Sequence, residues 1–185
     1  MKIVLPAIAA LLLGSGSAHA EDRALAPDTI TIILPVSLFQ DPPMLSQGDP
    51  EVRHLRLGST TVKKSGCLAI ALMDVLMRMQ VYSGSRTSFF SILSENGAFT
   101  STGLLKSWEL DRIFAITATR LTYSGEAAHE EAVRQLTVGN GVLLQVATNH
   151  GTMHWVAASK VIDGDIEVRD SNGGKVGMLS AMYGA

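Results

Sequence analysis

Between residues 68 and 79 every position is apolar except Asp74 and Arg78. A run of that length predicts a helix buried on most of its sides. Shorter patterns follow. Thr87 stands where it can cap a short helix carrying Phe89, Phe90, Ile92 and Leu93, with a stop at Asn96-Gly97. Residues 107–115 repeat the pattern with Trp108, Leu110, Ile113 and Phe114, and Ser107 marks the start. Residues 118–123 alternate weakly and read as a strand. Residues 126–136 form an amphipathic helix, with Glu126, Glu130 and Glu131 early and Arg134 late, as the helix dipole prefers.

The last third of the chain changes character. Residues 142–146, 154–162 and 166–170 have strand composition. Asp163-Gly164 joins the last two as a tight hairpin, and Ser171-Asn172-Gly173-Gly174 makes the next turn. Ahead of the central helix, residues 21–46 carry Pro27, Pro35, Pro42 and Pro43, and their one apolar run, 30–34, predicts an edge strand in an arm lying over the domain. Gln47-Gly48-Asp49-Pro50 and Leu57-Gly58-Ser59-Thr60 read as turns. Helices first and antiparallel strands afterwards give an α+β domain.

Residues 1–20 have the form of an export signal. Lys2 supplies the charge, residues 3–13 the apolar segment and Ala18-His19-Ala20 the small-residue cleavage motif, so the mature chain is expected to start near Glu21, in the periplasm or outside the cell. The apolar segment is too short to span a bilayer, so no membrane anchor is expected. The remainder divides into the arm, 21–46, and one domain, 47–185. With 15 basic and 17 acidic residues interspersed and a net charge of −2, the chain has no footprint for nucleic acid or acidic lipid. There is 1 cysteine, Cys67, which excludes an internal disulfide. In an oxidising compartment an unpaired thiol is a liability unless it is deeply buried or used.

Cys67 stands where a polar loop, Lys63-Lys64-Ser65-Gly66, becomes the central helix. The positive end of the helix dipole and the two lysines would favour a thiolate there, whereas the plainer alternative is one more small core residue. A thiol hydrolase also needs an imidazole and a group to orient it. His154 opens one strand of the Asp163-Gly164 hairpin and Asp170 closes the other, so the two can lie together at one end of the ribbon. A half-buried histidine satisfied by a carbonyl and a turn-capping aspartate are the competing explanations, and Asn172 is an alternative orienting residue. His150 and His154 do not make a helical zinc pair, because Gly151 and Thr152 lie between them, and His54 and His129 read as surface residues.

These stretches together resemble the papain-like cysteine peptidases related to the bacteriocin-leader (double-glycine) processing peptidases, in their stand-alone secreted form. The resemblance runs through Gln47-Gly48-Asp49-Pro50, Leu57-Gly58, Ser65-Gly66-Cys67, Glu95-Asn96-Gly97-Ala98, residues 141–146, His154-Trp155-Val156 and Asp163-Gly164-Asp165 to Arg169-Asp170. It implies a papain-like fold in which the nucleophile helix packs against a C-terminal antiparallel sheet. It also implies Cys67 as nucleophile, His154 as general base and acid, Asp170 as orienting residue and Gln47 as oxyanion donor, with Thr61 at the position nearer the cysteine. No metal or cofactor is implied. The expected substrate is a peptide or isopeptide bond in an envelope or extracellular protein, or in a peptidoglycan stem peptide. Leu68-Ala69-Ile70-Ala71 lacks the small polar residues usual after the nucleophile, which keeps open a weakly active or inactive binding domain of the same fold.

Overall fold

The computed structural model describes residues 28–33 and 41–184. The export signal with its cleavage point, and arm residues 21–27 and 34–40, lie outside them. The fold is mixed helix and antiparallel sheet. In chain order it comprises β1 (Asp28–Ile33), the small hairpin β2 (Arg56–Leu57) and β3 (Thr60–Thr61), α1 (Val62–Ser65), α2 (Cys67–Arg78) and α3 (Arg86–Glu95). There follow a 3-10 turn at Ser107–Glu109, α4 (Leu110–Phe114), β4 (Thr117–Thr122) and α5 (Glu126–Thr137). The chain then runs through β5 (Gly141–Ala147), β6 (Met153–Ile162), β7 (Asp165–Asp170), β8 (Lys175–Met178) and α6 (Leu179–Tyr183). Among the described residues no helix is long and apolar enough to cross a membrane.

The main sheet has the order β4-β1-β5-β6-β7-β8, every neighbouring pair antiparallel. Side chains alternate between its faces, and each face has its own apolar cluster. Leu143 and Ala157 point to α2, where they join Ile70, Leu72, Met73 and Leu76. Val142, Leu144, Val156, Ala158, Ile166 and Val168 point the other way, to Ala132 of α5 and Leu179 of α6. Helices therefore cover both faces, and α2 is the deepest of them.

Even the two polar residues of α2 are buried, Asp74 at 2% exposure and Arg78 at 4%. Burial of charge is tolerable only with partners. Asp74 takes the guanidinium of Arg169 from β7, with Nε 2.9 and 3.0 Å from its two oxygens. Arg78 donates to the carbonyls of Ala158 and Ser159 in β6, at 3.2 and 2.7 Å, and pairs with Asp41.

Several sequence expectations need correction. The apolar run in the arm is an interior strand, not an edge: β1 pairs with β4 on one side and β5 on the other. Prolines flank the run, but none falls within Asp28–Ile33, so its backbone can enter ladders on both sides. Residues 41–46 of the arm are also tied into the domain, since Leu45 is in the core and Pro42 O accepts from Arg169. The cap of α3 is Ser85, whose Oγ accepts from Ser88 N–H, rather than Thr87. Trp108, expected among apolar core positions, lies in the 3-10 turn and is 71% exposed. β8 and α6, at four and five residues, were not anticipated; both are too short to show a period.

Candidate active site

Cys67 is the first residue of α2 and follows Gly66, which is packed so tightly that a β-carbon there would lie 2.5 Å from Val62 O. The thiol is half-buried, and the groups that act on it are the His154 ring and the backbone N–H groups of Trp155 and Leu68. Burial works against a thiolate here, but these donors together with the imidazolium charge outweigh it and hold the thiol below its ordinary pKa. The lysines expected to help, Lys63 and Lys64, are exposed on α1 and are not among the groups that lower it. The positive charge comes from His154 instead.

His154 is buried, and its Nε2 lies 2.6 Å from Asp170 Oδ1, which leaves Nδ1 for the thiol. Burial alone would favour the neutral ring, yet the bonds to Asp170 and Cys67 push its pKa up to about 9. Asp170 in turn accepts from Asn172 N–H at 2.6 Å and from Tyr183 Oη at 2.7 Å. Against the effect of burial, His154, Tyr183 and Asn172 N–H keep its carboxyl below the usual range. Tyr183 itself is pushed up by burial and by that carboxylate, so it remains a donor.

One extra residue in β6 brings His154 and Asp170 onto the same face. Counted back from the Ile162↔Asp165 pair, an unbroken ladder would set Asp170 opposite Ala157, on the α2 face and away from His154. The ladder instead shifts between Ala158 and Lys160, so that Ala158 pairs with Val168 and Ala157 with Arg169. One step on, Asp170 falls opposite Val156, on the face of His154. Ser159 is the bulged residue. Its Oγ donates to the carbonyl and carboxylate of Glu167, and its own carbonyl is one of the two taken by Arg78. The same shift turns Arg169 toward Asp74.

No protein-family model, curated protein or solved structure matches the chain. What the site can do therefore has to be judged from its own geometry.

Of the other residues singled out in the sequence, Gln47 lies next to the site without touching the thiol through any bond described. Its Nε2 donates to Lys63 O at 3.0 Å, and its backbone N–H donates to Ser171 O at 3.1 Å. It thus joins the approach to α2 to the residue after Asp170. Thr61 precedes α1 and makes no side-chain cap bond. Asn172 contributes its backbone N–H to Asp170. His150 and His54 are exposed, whereas His129, read as a surface residue, is half-buried at the start of α5. Among the described residues no group of three or more His, Cys, Asp or Glu side chains is placed to hold a metal. The groups not anticipated are Tyr183 and the N–H of Trp155. A single tyrosine in a short terminal helix carries no pattern that could have pointed to it.

Proposed function

We propose that this chain is an exported cysteine peptidase of papain-like fold that hydrolyses a peptide or isopeptide bond. The observation that carries the reading is the convergence of Cys67, His154 and Asp170: the imidazole lies 2.6 Å from the carboxylate and near enough to the thiol that the thiol's pKa is lowered and the imidazole's raised. Shifts in these directions favour a thiolate and imidazolium pair over the neutral thiol and ring. The packing of the nucleophile helix on an antiparallel sheet, and the export signal read in residues 1–20, support the same reading.

In this mechanism the Cys67 thiolate attacks the carbonyl carbon, and the developing oxyanion is held by N–H groups at the start of α2 and by Gln47. His154 Nδ1 gives its proton to the leaving nitrogen, the C–N bond breaks and an acyl thioester remains on Cys67. Neutral His154 then takes a proton from water, whose oxygen attacks the thioester carbonyl, and expulsion of the thiolate restores the pair. Asp170 holds the ring by Nε2 throughout.

A second reading, a papain-like domain that binds without cutting, is favoured by one contact: the Gln47 amide is already engaged by Lys63 O, which takes one of its two hydrogens away from any oxyanion. Digestion of envelope protein extract and purified peptidoglycan by the wild type and by Cys67→Ala, with mass spectrometry of new termini, decides between the two. New termini with the wild type alone are expected. Identical termini with both proteins, or none with either, would remove the peptidase reading.

A further inference from the structure

A cavity of about 530 Å³ lies between the start of α5, the end of β5 and α6. Its floor is apolar, formed by Leu144, Val146 and Leu179, and Ala128 and Ala147 stand in its wall. A mostly apolar pocket of this size with a few polar groups at its edge is the usual form of a ligand site. Two of its residues reach the site described above. Val146 is directly opposite His154 in the β5/β6 ladder, so the two side chains share a face and are neighbours. Tyr183, which lines the cavity, bonds Asp170 through its Oη.

None of the elements that build the cavity carries Cys67 or Gln47. It flanks the imidazole and the carboxylate, not the thiol. During hydrolysis the imidazole delivers its proton to the leaving nitrogen, so the part of the substrate nearest the imidazole is the part that departs as an amine. We propose that this cavity receives an apolar side chain on the leaving-amine side of a peptide substrate, a specificity that rests on the peptidase reading above. Aliphatic and aromatic side chains fit the floor. An acidic one would lose its hydration there against Leu144, Val146 and Leu179.

The test uses the full chain carrying Cys67→Ala, titrated by calorimetry with leucyl-phenylalanine amide and aspartyl-serine amide as stand-ins for the departing product. The apolar peptide is expected to bind at least about tenfold tighter. Ala128→Phe, which fills the cavity from α5, should abolish that preference. Leu144→Trp fills it from β5, and thermal unfolding shows which of the two variants is folded. Equal binding of both peptides, binding of neither, or a preference that survives in a folded filled variant overturns the proposal. The underlying reading fails differently. Selective binding by a chain that cleaves no peptide overturns the hydrolase and with it the leaving-side assignment, whereas cleavage with no preference after the scissile bond overturns the cavity's role alone.

Discussion

Burial ordinarily raises a thiol's pKa, and that of Cys67 is lowered instead because the His154 ring and the N–H groups of Trp155 and Leu68 act on its sulfur while a carboxylate keeps the neighbouring ring charged. The pH dependence follows from the signs. Lowering the thiol pKa means that the alkylation profile with iodoacetamide should lie at lower pH than that of an ordinary cysteine. Raising His154 to about 9 means that the imidazolium needed for the leaving group persists until that pH. Hydrolysis should therefore decline above about pH 9, while alkylation, which needs only the thiolate, should not. Asp170→Asn removes the charge that sustains the ring. Its His154 should titrate lower by NMR, its alkylation profile should move to higher pH, and kcat/KM should fall by on the order of 10²–10⁴. Asn172→Ala keeps the backbone N–H that Asp170 uses and should leave both profiles in place. A large loss in Asn172→Ala with Asp170→Asn unaffected would reverse these roles.

At the scale of elements, the hairpin alone would not orient the ring. A regular β6/β7 ladder carries Asp170 to the wrong face, and the bulge at Ser159 corrects it. A bulge takes carbonyls out of the ladder, and Arg78, arriving from the last turn of α2, accepts the task of satisfying those of Ala158 and Ser159. The helix that carries Cys67 at its first turn thus anchors, at its last, the distortion that places Asp170. Arg78→Met keeps the apolar stem and removes these bonds. It should lower stability by about 3 kcal/mol in urea unfolding and bring the His154 pKa down from about 9 as the carboxylate loosens. An Arg78→Met protein with unchanged unfolding and an unmoved His154 would show that the bulge holds without its anchor.

Across the whole molecule, the Asp74 and Arg169 pair ties α2 to the sheet between residues 95 positions apart. Both side chains are buried, and Arg169 also donates to Pro42 O at 2.7 Å, so the pair links three distant stretches of chain. Asp74→Asn leaves a buried guanidinium without its counter-charge and should cost about 3–5 kcal/mol. The double replacement Asp74→Leu with Arg169→Met removes both charges and should recover most of that loss, measured by the same unfolding curves. If the double variant is no more stable than Asp74→Asn, the pair is needed for more than its charge balance.

Periodicity was enough to read the helix behind Cys67, the amphipathic helix with its ordered charges and the Asp163-Gly164 hairpin, where Asp163 and Gly164 both adopt positive φ. All of these are local, set by side-chain spacing and turn geometry over a few residues, and local rules suffice for them. Residue chemistry likewise marked Cys67, His154 and Asp170 for attention before any fold was known. The tertiary structure alone decided that β1 lies inside the sheet, that Ser159 bulges, that Tyr183 closes on Asp170 and that His154, not Lys63 or Lys64, supplies the positive charge beside the sulfur. Each of these depends on partners far away in sequence, whose positions no short window encodes.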